Sequence, residues 1–164
     1  MNAEITSTAN AYLTFRMGDE TFATQVSKVR EILELSSITK VPNAPTYMRG
    51  IVNLRGQVLP VVDTRIKFGL EPTEDTPKSR IIVLEIESQN KLVQIGALVD
   101  TARNVIEFGE ESILPPPSID DFKNAEFIEG VIESGGDFIM LIKVEKVFSK
   151  EEVNEISKHQ ENGS

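Results

Sequence analysis

Two stretches of the chain read alike: Gly50-Ile-Val-Asn-Leu-Arg-Gly-Gln-Val-Leu-Pro-Val-Val-Asp63 and Gly130-Val-Ile-Glu-Ser-Gly-Gly-Asp-Phe-Ile-Met-Leu-Ile-Lys143. Each spells an apolar strand, a Gly-containing turn and a second strand. Gly50 falls on Gly130, Gly56 on Gly136, and nearly every apolar position between them agrees. Upstream, Phe22 to Ile32 lies over Ile95 to Val105, and Ile38 to Pro42 lies over Ile113 to Pro117. The order of features is therefore duplicated in two units of roughly 70 residues, each near the size at which a small barrel closes its own edges. The expected fold is all-β, with two five-stranded β-barrel subdomains packed around a shared core. The repeat halves span about 11–70 and 79–148 within a domain over 11–148, after a polar leader at 1–10 and before a short helix and polar tail at 149–164.

The rest of the chain agrees with this reading. Tyr12 to Met17 and Thr21 to Ala23 form a hairpin around Gly18-Asp19-Glu20. Strand-like runs follow at Val29–Leu35, Arg80–Ile86, Leu92–Val99 and Asn104–Phe108. Prolines at 42, 45, 60, 72, 77 and 115–117 break up any long helix. Only Ser149-Lys-Glu-Glu152, a capping box ahead of Val153 and Ile156, announces one. With 164 residues and 40% hydrophobic, the chain can bury a real core, and an aromatic share of 6% leaves that core to Val, Ile and Leu.

Composition narrows function. A net charge of −9 repels a phosphate backbone, so nucleic acid is excluded as a partner. The absence of cysteine removes disulfides, thiolate-held metals and thiol nucleophiles. The single histidine, His159, stands in the polar tail without neighbours suited to make it a base or ligand. Residues 1–10 are not a signal peptide and no run is long enough to span a bilayer, which reads as a cytoplasmic protein without direct membrane insertion. Phosphate loops, catalytic triads and HExxH are missing, so no cofactor, metal or catalytic residue is expected, and a binding module is favoured over an enzyme.

The duplication also separates positions kept for the fold from positions kept for a task. Gly56 and Gly136 recur and read as turn residues. Arg55 stands opposite Gly135, and Glu31 opposite Asn104. Each charge reads either as a solvated surface residue or as an anchor for a partner. Ile119, after the proline triplet, either plugs a barrel end or presents a contact.

The segments Val29-Arg-Glu-Ile32, Ile38-Thr-Lys-Val-Pro42, Pro45-Thr-Tyr-Met-Arg-Gly50 and the Asn53-Leu-Arg-Gly56 run through Pro60-Val-Val-Asp63 strongly resemble the CheW family of bacterial chemotaxis coupling proteins, as do Gly96-Ala-Leu-Val-Asp100 and Gly130-Val-Ile132. The resemblance covers about residues 11 to 150; Thr64, where the family usually has Leu, and the acidic stretch from Glu71 to Asp75 depart from it. It implies two SH3-like barrels and a non-enzymatic adaptor. The adaptor would join the cytoplasmic tip of methyl-accepting chemotaxis receptors to the C-terminal regulatory domain of the histidine kinase CheA, at the receptor array. By the same resemblance Val29, Glu31 and Arg55 face the receptor, in a groove between the subdomains, while Ile38, Val41, Gly50 and Ile119 face the kinase. Two alternatives stand beside it. One is a CheW-like adaptor of another array, serving pili or development; the other is a small-ligand-binding β-barrel using Asp63, Asp100 or Arg55 in a cleft.

Overall fold

Four hairpins close through two-residue turns, at Gly18-Asp19, Arg55-Gly56, Gln89-Asn90 and Gly135-Gly136. In the last three both turn residues have positive φ, from 52° to 89°, the primed geometry whose twist matches that of the flanking strands. The protein was studied as a computed structural model describing residues 11–71, 74–116 and 125–162. Its strands are β1 (Ala11–Met17), β2 (Glu20–Gln25), β3 (Val29–Glu34), β4 (Met48–Leu54), β5 (Gln57–Asp63), β6 (Arg80–Ser88), β7 (Lys91–Val99), β8 (Thr101–Glu107), β9 (Ile128–Ser134) and β10 (Asp137–Ile142). The helices are α1 (Thr64–Lys67) and α2 (Lys150–Asn162).

The strands form two five-stranded sheets, ordered β8-β1-β2-β10-β9 and β3-β6-β7-β5-β4. We call the first the terminal barrel, since it takes both ends of the chain, and the second the central barrel. Their edges draw together through single bridges, Leu114 with Val131 and Thr39 with Ile51. The repeat is present in detail: the parallel pairs Leu141–Ala23 and Val61–Gly96 are equivalent, and a register shift follows Met48 in one copy as it precedes Ile142 in the other.

The repeat halves at 11–70 and 79–148 are nevertheless not the two barrels. Each half gives a hairpin to one barrel and three strands to the other, so the two copies are interlaced. The cause is local. Asp100 alone separates β7 from β8, and one residue is too few to reverse the chain, which therefore runs on from one sheet into the next.

This interlacing explains the apolar runs. In β6, Ile81 and Val83 point into the central barrel with Val52, Leu59, Val61 and Leu98. Ile82, Leu84 and Ile86 point the other way, into a core shared with Leu13, Phe15 and Phe22 of the terminal barrel. A smaller cluster of Tyr12, Ala23, Ile132, Ile139 and Leu141 fills the terminal barrel. The expected capping box forms reciprocally: Ser149 N–H donates to Glu152 Oε1 at 2.8 Å and Glu152 N–H to Ser149 Oγ at 3.1 Å. The helix is longer than the short one expected, because Lys, Glu and Gln propagate it through most of the anticipated tail. Val153 and Ile156 seat it on the shared core.

Gly50 and Gly130 are paired by packing. A Cβ on Gly50, at φ +152°, would lie 2.2 Å from the Thr39 carbonyl oxygen and 2.7 Å from Ile38 Cγ2. One on Gly130 would lie 2.5 Å from Ile113 Cγ2 and 3.0 Å from the Leu114 oxygen. Gly50→Ala is expected to destabilise by about 2 kcal/mol or more, and Gly130→Ala by less, since a methyl group yields more easily than backbone. Urea unfolding of the two variants, compared at equal slope, checks the order.

Candidate partner-binding site

Arg55 occupies the tip of the β4–β5 hairpin in the left-handed conformation, with φ +52°. That conformation costs a side-chain-bearing residue on the order of 1 kcal/mol, and the equivalent position in the other copy, Gly135 at φ +60°, avoids the cost by being glycine. The turn is braced by Gly56 N–H, which donates to Asn53 Oδ1 at 2.8 Å. The side chain held there at such cost is 69% exposed.

It reaches back across the barrel mouth to β3. Arg55 Nη1 donates to Glu31 Oε1 at 3.3 Å and Nη2 to Glu31 Oε2, a two-pronged pair. A β-bulge between Val29 and Glu31 resets the alternation of β3. Beyond it Leu33 and Leu35 pack on the interior of the central barrel while Ile32 turns outward, 43% exposed. Arg30, Leu54, Gln57 and Gln94 complete an open depression around the pair. The bonds from Arg55 hold the Glu31 carboxyl below the ordinary glutamate range, and Glu31 in turn raises Arg55.

The structure thus joins two of the three residues assigned to the receptor. Val29 lies at the start of the same strand, half-buried against the shared core, outside the depression. Sequence reasoning did not find Arg30, Leu54, Gln57 and Gln94; their only signal was proximity to the hairpin tip and the strand that faces it.

Of the residues assigned to the kinase, Ile38 and Gly50 meet where Thr39 bridges Ile51. Val41 is half-buried on the loop that follows, and Ile119 lies outside the described residues. Gly50 is buried and has no room for a side chain, so its role as a contact needs correcting: it acts on any surface only by letting Ile38 and Thr39 come close. Four residues of β4 lie between Gly50 and the Arg55 turn, a span of about 17 Å at the usual rise per residue.

Asp63 and Asp100, each named with Arg55 as a candidate for a ligand cleft, are instead committed to Arg65. The Arg65 side chain is 2% exposed. It lies 3.0 Å from Asp63, 3.1 Å from Asp100 and 3.5 Å from Asp75. Arg49 pairs with Asp75 as well. Burial alone would lower the Arg65 pKa, but the bond and charge of Asp63, with Asp100 and Asp75, raise it. These carboxylates neutralise a buried cation and have no part in a cleft with Arg55.

The fold and site together define a binding module, two packed barrels built from interlaced repeat copies and presenting a charged mouth. A family model for the CheW-like domain matches residues 11–152, and the chain belongs to the CheW family. It is similar to chemotaxis protein CheW of Rhizobium meliloti (34% identical, covering 90% of this chain and 93% of that one) and of Bacillus subtilis (30%; 92% and 94%). It also superposes on the crystal structure of scaffolding protein TtCheW from Thermoanaerobacter tengcongensis, with a TM-score of 0.75, 32% identity, and coverage of 86% of this chain and 93% of that one. The protein is a chemotaxis coupling adaptor rather than an enzyme, and an adaptor of another array is not favoured.

The depressed Glu31 carboxyl fixes a sign. The pair is intact above the ordinary glutamate pKa and is lost only as pH falls through the lower, folded value. Arg55→Ala is expected to return the Glu31 pKa upward to the ordinary range, read by carbon NMR titration of the carboxyl.

Proposed function

We propose that the protein couples the cytoplasmic tip of methyl-accepting receptors to the C-terminal regulatory domain of CheA at the cytoplasmic face of a receptor array. Val29, Glu31 and Arg55 serve the receptor side; Ile38 and Val41, supported by Gly50, serve the kinase side together with Ile119. The observation that supports the receptor assignment is the conformational cost of Arg55. A side chain is kept in a backbone state that glycine fills in the twin turn, and it is aimed with Glu31 across an open mouth.

The physics suits a helical hairpin as partner. A helix presents an apolar stripe with polar flanks. Val29, with exposed Ile32 beside it, offers area, while the pre-oriented pair fixes register because its guanidinium and carboxylate present donors and acceptors in a set plane. The kinase contact belongs to the opposite end of β4, so both partners can be held at once. Binding both raises the effective concentration of kinase at receptor far above that of separate encounters.

Two substitutions at one position test the reading. Arg55→Gly removes the side chain and relieves the turn, and Arg55→Glu adds repulsion against Glu31. Both are expected to leave the midpoint of thermal unfolding within a few degrees of the parent. Each should weaken binding to a receptor cytoplasmic fragment by roughly 30-fold or more, the scale of a desolvated interface anchor. Val41→Asp is expected to show the converse, weaker binding to the CheA regulatory domain with the receptor retained. Unchanged receptor affinity in a folded Arg55→Gly variant would overturn the receptor assignment.

A further inference from the structure

The β6–β7 hairpin is longer than its twin. In the repeat Phe22 of β2 falls on Ile95 of β7, and each is paired across its own hairpin, Phe22 with Phe15 and Ile95 with Leu84. Beyond that level β1 runs two residues to its turn, ending at Met17, whereas β6 runs four, ending at Ser88. The two added residues on each strand extend the ribbon by about 7 Å. It stays paired to the tip, Glu87 with Leu92 and Ser88 with Lys91, and closes through Gln89-Asn90 at φ 52° and 63°. Ile86 and Val93, buried in the shared core, fix its base from behind. The extension is therefore an arm of set direction and not a loose loop.

Strand alternation decides which face the arm presents. In β7, Val93, Ile95, Ala97 and Val99 enter the shared core, so Leu92, Gln94 and Leu98 face the other way, toward the central barrel. Leu98 fills that barrel, Gln94 lines the depression around Glu31 and Arg55, and Leu92 comes next on the same face, past the rim. Leu92 is 65% exposed, the most of any large hydrophobic side chain among the described residues. Arg30 Nε lies 3.8 Å from Glu85 Oε2, and Glu85 is paired with Gln94, which brings β3 against the base of the arm.

The repeat again supplies a control. The twin mouth has Asn104 and Gly135 in place of Glu31 and Arg55, and its hairpin turns early, at Gly18-Asp19. The charged pair and the arm thus occur at one mouth and are both missing from the other. A leucine past the rim adds nothing to the barrel's own core, and its apolar area gains free energy only when something covers it.

We propose that the arm belongs to the receptor surface, with Leu92 packing on an apolar residue of the same receptor helix that meets the Glu31–Arg55 pair. The inference rests on the receptor reading of that mouth, with which the arm is continuous. Strand register sets the spacing. Glu31 pairs with Val83 and Val83 with Gly96, so Glu31 and Gly96 stand in one row, and Leu92 lies four residues further along β7, about 13 Å away. A helix rises about 1.5 Å per residue, so the residue over Leu92 is about seven or eight positions from the one on the charged pair, two turns along the same face.

Leu92→Ser, measured beside Arg55→Gly, tests the arm. Its unfolding midpoint is expected to match the parent's, since this side chain leaves water only in the complex. Its affinity for a receptor cytoplasmic fragment is expected to fall about tenfold, part of the transfer free energy of a leucine. The chain has no cysteine, so Leu92→Cys and Gln57→Cys each offer a single thiol. Against a series of single-cysteine receptor fragments, the two should form disulfides at positions about seven or eight residues apart on one helix face. Weakening by Arg55→Gly with full affinity in Leu92→Ser would overturn the arm and leave the receptor reading standing. So would cross-linking of Leu92→Cys no stronger than that of Lys78→Cys, an exposed position on the strap. Full affinity in Arg55→Gly with weakening by Leu92→Ser would overturn the charged pair as the receptor anchor and keep Leu92 as a receptor contact, and full affinity in both would overturn both. Loss of CheA regulatory-domain binding in Leu92→Ser, with receptor affinity retained, would assign the arm to the kinase and overturn the inference.

Discussion

A single buried cation holds the two barrels to one geometry. Arg65 lies at the end of β5, and its carboxylate partners come from β5 itself, from the strap after α1 and from the one-residue link between β7 and β8. Asp100 in that link also accepts from the Gly18 N–H at 2.6 Å, in the β1–β2 turn of the other barrel. One guanidinium thus gathers four chain segments. A buried charge of this kind adds little net stability over an apolar packing, but removing one partner leaves the other uncompensated, at a cost of about 3–5 kcal/mol. Its value lies in specifying one arrangement of segments that apolar packing alone would leave freer.

That specification matters because the two repeat copies are interlaced. A hairpin from each half completes the other half's barrel, and the largest apolar cluster lies between the two sheets. The central barrel is one continuous segment, β3 to β7, set between the two parts of the terminal barrel, and the shared apolar cluster is what seals the two sheets together. For an adaptor this has a direct use. If receptor and kinase surfaces sit at opposite ends of β4, displacement at one is passed on as movement of a rigid body, without loss to hinge motion between subdomains.

Much of this was legible in the sequence, and the gaps have identifiable causes. Strand positions, turn glycines and the capping box follow from alternation and local chemistry, which act over a few residues. The interlacing was hidden because it turns on Asp100, an ordinary polar residue whose meaning comes from how little chain surrounds it. Arg65 was hidden for a related reason. A charged residue after a strand end reads as solvent-facing, and only three carboxylates distant in sequence make its burial possible. Glu31 and Arg55 were found because the repeat supplied an internal control, Asn104 and Gly135, while their pairing depended on a bulge at Val29 that no residue type signals.

The same control shows how duplication divides labour. Where the copies agree, as at Gly50 and Gly130, packing demands it, since any side chain meets the facing strand end. Where they differ, the backbone is unchanged and the charge alone has moved: Arg55 against glycine at the hairpin tips, and half-buried Arg49 against exposed Glu129 at the barrel ends. A shared frame with unlike charges gives two surfaces of similar shape that a partner distinguishes by electrostatics, because like charges set opposite each other cost more than misfitted apolar area. An adaptor that must present different faces to different proteins gains that discrimination without a second fold.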